Sequence, residues 1–267
     1  MINLGWHQEA DQILKIGRPP LLMLVGEPGT GKTTYAQSSA RKLTNQNAIT
    51  LSGSPDVEES HLFGRWTLAG SETKFVDGPL PRALKEGRWL IIEEFSQIPI
   101  ETRACLMPLR DQKEITNPLT GEVIDIPSSF RLVATSNSES LACRKNTGIA
   151  RVLYDGFFIL ETPELQDEHI REFLIYENPK LNKRKADRVV KIWRKYRSIS
   201  KGDESAKSSL SYRAASHLSA LLDAGMDEKN AIQIGLINKF LPADADLFSA
   251  AKMKLMMEDD GDSLEEV

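Results

Sequence analysis

Cysteine is nearly absent from this sequence, with Cys105 and Cys143 the two examples in 267 residues, far apart and in no C-x-x-C pattern. That excludes a disulfide framework or a zinc knuckle and fits a reducing compartment. No apolar run approaches the ~20 residues that a membrane-spanning helix needs. The opening stretch MINLGWHQEADQILKIG lacks the apolar centre of a signal peptide. A basic excess is missing too: 34 Lys and Arg against 38 Asp and Glu give a net charge of -4 and a pI near 5.7. This balance weighs against general affinity for nucleic acid. The four histidines, His7, His61, His169 and His217, are scattered without metal-ligand spacing and are read as structural. No Ser-His-Asp pattern and no internal repeat of fixed period is visible. What these absences leave is a soluble cytoplasmic protein with no membrane partner.

What is present is a chain with 40% hydrophobic residues, enough for a substantial core. Short apolar runs at Leu21–Gly26, Ala48–Gly53, Trp89–Glu94, Phe130–Asn137 and Phe157–Glu161 suit strands buried on both faces, as in a parallel sheet. Helical patterns lie between them at Lys32–Leu43, Pro79–Glu86 and Ile100–Arg110. The alternation predicts an α/β layer architecture. After Thr162-Pro163 the strand signal stops. Glu164–Glu177, Lys183–Arg197, Ser209–Ala224 and Asp227–Phe240 all read as helices, with a polar loop at Ser198–Ser209. In Lys183–Arg197, the apolar residues Ala186, Val189, Val190, Trp193 and Tyr196 recur at helical spacing beside basic residues, giving a helix whose basic face is either solvated or docks nucleic acid or an acidic partner. The expected organisation is an αβα core over 1–163, a helical domain over 164–257 and an acidic flexible tail over 258–267.

The sequence GEPGTGKT at Gly26–Thr33 matches G-x-x-x-x-G-K-[ST], follows an apolar strand and opens a helix. Gly26, Gly29 and Gly31 let the backbone wrap a phosphate, and Glu27, Pro28, Thr30 and Thr34 complete the contact surface. The amides and the helix N-terminus carry partial positive charge. Lys32 is expected to reach the β- and γ-phosphates, and Thr33 to offer its hydroxyl to Mg2+. ATP is the expected nucleotide; the loop itself does not separate adenine from guanine, and no N-K-x-D motif for guanine is present.

The run WLIIEEF ends an apolar strand in Glu93-Glu94. A carboxylate there can hold Mg2+, usually through water, and a second can orient or deprotonate the attacking water. Glu93 is assigned to the metal and Glu94 to the water. Most such sites carry Asp at the first position, and Glu93 is one methylene longer.

With these motifs, the chain resembles an AAA+ ATPase of the MoxR family, nearest the CbbQ/NorQ-like branch of the dynein-related type. The resemblance runs over nearly the whole chain. It is carried by HLFG at His61–Gly64 and by FVDGPLPRALKEGRWLIIEEFSQIP at Phe75–Pro99, in which Gly78, Pro79, Leu80, Ala83 and Gly87 stand in the family pattern. It implies a P-loop NTPase three-layer αβα core with a parallel sheet plus a C-terminal α-helical lid, working as a ring, commonly a hexamer. It further implies that FRLVATSN ends in a sensor, Asn137, beside the γ-phosphate, and that SYRAASHLSALLDAG carries a second sensor, Arg213. The family's Asp-Arg-Phe reads Asp155-Gly156-Phe157 here, so its trans-acting arginine is missing. Arg151 is the first substitute, followed by Arg144 and then Arg110. Arg65–Phe75 and Asn117–Pro127 resemble two inserted hairpins; Trp66 and Phe75 either grip a client or pack at home.

The resemblance points to a motor that couples ATP hydrolysis to remodelling or activation of a client protein, with a companion bearing a von Willebrand factor A domain. Two other readings stand beside it: a nucleic-acid-dependent motor of the restriction or helicase type, against which the acidic balance weighs, and a nucleotide-switched scaffold that barely hydrolyses.

Overall fold

A computed structural model describes residues 4–16, 20–137, 148–201, 210–240 and 244–259. Side chains are described over 4–16, 20–137, 152–199, 210–240 and 244–256. Two compact units emerge, one over Asn3–Glu164 and one from Leu165 onward.

In the first unit, helix α1 (Trp6–Leu14) precedes strand β1 (Leu21–Val25), α2 (Lys32–Thr44) and β2 (Ile49–Ser52). Then come α3 (Glu59–Phe63), a hairpin of β3 (Gly64–Ala69) and β4 (Glu72–Asp77), α4 (Pro79–Lys85) and β5 (Leu90–Glu93). A 3-10 turn at Phe95–Gln97 leads into α5 (Ile100–Ala104) and α6 (Pro108–Asp111). A second hairpin, β6 (Glu114–Thr116) with β7 (Val123–Asp125), precedes β8 (Leu132–Ser136), α7 (Gly148–Asp155) and β9 (Phe158–Glu161).

The main sheet is parallel throughout, in the order β2-β5-β8-β1-β9. Its central strands β1 and β8 are buried at every position; β1 reads as an unbroken apolar run, and β8 as an apolar run ending in the buried polar residues Thr135 and Ser136. The edges β2 and β9 are partly exposed. The register sets Val25 level with Ser136 and Glu161, and Ser52 level with Glu93. All five strands therefore end at one edge, where ligands of open α/β sheets bind. The α/β expectation is met. Ile100–Arg110, predicted as one helix, is two short ones, because Pro108 has no N–H to continue the ladder and starts α6 instead.

Both expected hairpins form. In β3–β4, Trp66 pairs with Phe75 across the strands, their rings edge-on at 5.3 Å. In β6–β7, Asn117 accepts the Leu119 N–H on Oδ1 at 3.0 Å, and Gly121 takes the left-handed conformation at φ 74°, which closes the turn. Lys85 donates to Asp77 and Glu122, both at 2.8 Å, so α4 ties the base of the first hairpin to the turn of the second.

The second unit is helical: α8 (Asp167–Glu177), α9 (Lys183–Lys201), α10 (Tyr212–Asp223), α11 (Glu228–Gly235), a 3-10 turn at Ile237–Lys239, and α12 (Ala245–Asp259). Ala186, Val189, Val190, Trp193 and Tyr196 are all buried, as their spacing predicts. Arg197 departs from the solvated basic face. It is 2% exposed, lies over the Trp193 and Tyr212 rings at 4.8 and 5.0 Å, and donates to the Leu210 carbonyl. The planar guanidinium gains from stacking what a lysine in the same place could not. Helix α9 continues to Lys201, so the first residues of the predicted polar loop are helical, and 202–209 lie outside the described residues. Helix α12 likewise absorbs Glu258 and Asp259; the rest of the predicted tail, 260–267, lies outside the described residues. No described helix is long and apolar enough to cross a membrane.

Candidate functional site

The phosphate loop begins where β1 ends. The parallel ladder runs one residue past the strand: the Gly26 N–H donates to the Ser136 carbonyl at 3.2 Å, and the Thr162 N–H to the Val25 carbonyl at 2.7 Å. Gly29 and Gly31 both sit at φ 85°, the left-handed region that a side chain strains. Gly26 is needed for another reason. A Cβ there would fall 2.0 Å from Thr162 Oγ1, since the end of β9 closes directly over the loop. Thr162 Oγ1 also lies 3.3 Å from Thr30 Oγ1 and donates to the Val25 carbonyl at 3.2 Å. Nothing in the motif pattern points to Thr162.

Lys32 opens α2 and is 8% exposed. Its ammonium donates to the carbonyls of Gly26 at 2.9 Å and Glu27 at 2.8 Å, and to Thr30 Oγ1 at 3.4 Å. The charge is thereby held inside the loop that its amides and the α2 N-terminus make attractive to anions. One turn further along α2, Tyr35 stacks on His7 at 4.6 Å and donates to Asp11 Oδ1 at 2.6 Å, which locks α1 against the loop helix. Burial, then the bond to Asp11, raises the Tyr35 phenol well above its usual range. Burial also lowers His7 against the opposing pull of Asp11, so the imidazole is neutral near pH 7 and accepts the Leu4 N–H.

The acidic edge lies two strands away. Because β8 runs between β1 and β5, Asn137 at its end stands between the phosphate loop and Glu93-Glu94. Asn137 Nδ2 donates to Glu94 Oε2 at 3.3 Å. Glu94 is one of the two described non-glycine residues at positive φ, at 47°, and caps the 3-10 turn through its carbonyl, which accepts the Gln97 N–H at 2.7 Å. This left-handed residue turns the chain abruptly off the strand; non-glycine residues in such regions gather at functional sites. Gly53, at the end of β2, makes that turn possible. Its N–H donates to the Glu93 carbonyl at 2.8 Å, and a Cβ would meet the Glu94 and Glu93 carbonyl oxygens at 2.5 and 2.7 Å. In the sequence Gly53 shows no signal beyond that of a glycine ending an apolar run.

The donor set suits Mg2+. Thr33 and Glu93 would supply a hydroxyl and one carboxylate, hard oxygen ligands of the kind that hold this ion together with nucleotide phosphates and water. No cluster of three or more His, Cys, Asp or Glu side chains that could cage a metal occurs among the described residues.

The candidate arginines fall differently. Arg110, on α6, runs over Gly156: a Cβ on Gly156 would meet Arg110 Cδ at 3.0 Å, and Arg110 Nη1 lies 3.8 Å from Asp155. Arg151 lies in α7, but its side chain is outside the described residues, as is the whole of Arg144. Arg213 is exposed on α10 of the helical unit.

The AAA domain family, dynein-related subfamily, matches residues 21–157, just over half of the chain. Midasin of Dictyostelium discoideum is 33% identical over 122 residues, covering 45% of this chain and 2% of midasin. The uncharacterized protein YojN of Bacillus subtilis is 28% identical over 187 residues, covering 68% of this chain and 60% of YojN. An uncharacterized protein of Staphylococcus epidermidis is 28% identical over 225 residues, covering 82% of this chain and 83% of that protein. A crystal structure from Cytophaga hutchinsonii shares the fold, with a TM-score of 0.51 at 14% identity over 97% of this chain and 90% of the other. The chain spans only part of the length of the first of these relatives; it belongs to the dynein-related subfamily of AAA domains.

Proposed function

We propose that the chain is a MoxR-type motor of the CbbQ/NorQ-like branch, which hydrolyses ATP with Mg2+ in a ring, commonly a hexamer, and uses the cycle to remodel or activate a client protein. The observation that carries the hydrolytic part is the meeting of Asn137 with Glu94 at 3.3 Å on the sheet edge that also carries the phosphate loop. In this reading Gly26–Thr34 binds the triphosphate, and Lys32 exchanges its loop carbonyls for phosphate oxygens. Thr33 and Glu93 hold Mg2+, whose chemistry is to neutralise charge on the phosphates. Glu94 accepts a proton from the attacking water, and Asn137 fixes the carboxylate and the water in line. Arg213 is the proposed sensor of the helical unit, and Arg151 the first candidate for the arginine acting on a neighbouring subunit's nucleotide.

The remodelling part is supported by the β3–β4 hairpin. Trp66 is 58% and Leu68 82% exposed, on the face that also carries Phe75. Trp66 and Phe75 pack on one another, yet most of the indole faces solvent, as a surface that grips a client requires. The proposed companion carries a von Willebrand factor A domain.

Steady-state turnover tests the reading. Glu94→Gln is expected to keep nucleotide affinity while turnover collapses, and wild-type turnover per subunit is expected to rise with protein concentration as rings form. Held with ATP, Glu94→Gln is expected to retain a von Willebrand factor A domain protein. Turnover unaffected by Glu94→Gln would favour the nucleotide-switched scaffold; ATPase stimulation by DNA or RNA would favour the nucleic-acid motor.

A further inference from the structure

Arg103 is a buried cation that none of these roles uses. It sits on α5, is 3% exposed, and has no carboxylate within ion-pair distance among the described residues. Its Nη1 donates to the Tyr154 hydroxyl at 2.6 Å, while Nε has no hydrogen-bond partner among the described residues. A desolvated guanidinium with an unmet donor is costly, and a hydrophobic residue of similar volume often serves packing as well or better. Arg103 therefore calls for an explanation beyond filling space.

Its neighbours supply one. The guanidinium lies over the Phe95 ring at 5.5 Å and over the Tyr154 ring at 5.8 Å. Phe95 directly follows Glu94, is fully buried, and meets Phe157 at 5.3 Å on another side. Phe95 is thus the anchor of the left-handed turn that aims Glu94, and Arg103 is one of the groups that hold the anchor. Helix α5 is itself fixed next door, where Thr102 Oγ1 donates to the Val57 carbonyl at 3.1 Å. Through Tyr154 the same guanidinium reaches α7, the helix that carries Arg151 and ends at Asp155.

We propose that Arg103 is a positioning residue: it holds Phe95, and through it the Glu94 turn, in register with α7. The inference rests on the proposed role of Glu94 in hydrolysis. The guanidinium suits the task because it is planar and can stack on two rings while donating in its own plane, which an ammonium cannot do.

The test is turnover and ATP affinity in Arg103→Met, Arg103→Lys and Tyr154→Phe, each normalised to folded protein. Methionine fills the space without charge. Arg103→Met is expected to melt near the wild-type temperature and bind ATP within about twofold of wild type, while kcat falls about tenfold to a hundredfold, the scale of a small misplacement of a catalytic group. Arg103→Lys is expected to recover part of the loss, and Tyr154→Phe to lose about threefold to tenfold in kcat with KM unchanged, as for one lost hydrogen bond. Wild-type turnover per folded molecule in Arg103→Met overturns the inference, and so does an equal loss of binding and turnover. Should Arg103→Met fail to fold, wild-type turnover in both milder variants overturns it. Glu94→Gln measured alongside separates the two readings: if it hydrolyses normally, the site assignment fails; if it is inactive and Arg103→Met is normal, only the role of Arg103 fails.

Discussion

The phosphate loop and the acidic edge lie at the same end of the same sheet, but they are held in place by different means. The loop is held mostly by itself. Lys32 bonds carbonyls six and five residues back and Gly29 and Gly31 supply the left-handed turns, while from afar Thr162 presses on Gly26 and the Ser136 carbonyl accepts its N–H. The acidic edge is held almost wholly from afar. Gly53 comes from β2, Asn137 from β8, Phe157 from the start of β9, and Arg103 from α5. The phosphate loop is thus carried by one contiguous motif, whereas aiming the Glu94 carboxylate took contacts from four other places in the chain. Mutations in the two regions should accordingly separate affinity from turnover.

The largest separation is expected for Glu94→Gln. Turnover in a phosphate-release assay should fall about 10²–10⁴-fold, the usual contribution of a general base, with nucleotide affinity kept. Lys32→Ala is the converse. Losing the ammonium should cost about 3 kcal/mol of binding, or ~100-fold in affinity by titration calorimetry; a variant that binds normally but turns over slowly would break the comparison.

The two tight glycines sharpen it further. Gly26→Ala forces a Cβ against Thr162 and should cost about 1–3 kcal/mol of stability by thermal melting, with weakened nucleotide binding. Thr162→Ala in the same chain should restore only part of this, because the Thr162 carbonyl remains 2.9 Å from the new methyl. Gly53→Ala should be similarly destabilising but lower turnover rather than affinity, since it displaces the Glu93 and Glu94 backbones. The smallest effect is expected for Asn137→Ala, which removes one hydrogen bond to Glu94 and should slow turnover about threefold to tenfold at unchanged affinity.

The sheet was legible because buried parallel strands must be apolar on both faces, and runs such as Leu21–Val25 and Leu90–Glu93 leave little else to read. Most predicted strand and helix cores match, with shifts of a few residues at the ends, but Ile100–Arg110 is two helices and Asp227–Phe240 is α11 followed by a 3-10 turn. Helices α1, α3, α7 and α12 had no such signature and are absent from the sequence-based expectation. The fate of Arg197 was invisible as well: its helical position shows which side it faces, but not that Trp193 and Tyr212 offer it two rings to lie against.

By itself, then, the sequence determined the α/β class, the phosphate loop and the identity of the acidic pair, because each depends on residues that are neighbours along the chain. Strand order, the close approach of Gly53 and Thr162, the left-handed turn at Glu94 and the burial of Arg103 were decided only in the tertiary structure. They depend on which chain segments lie side by side, and a strand carries in its own sequence the need to be buried but not the identity of its neighbour.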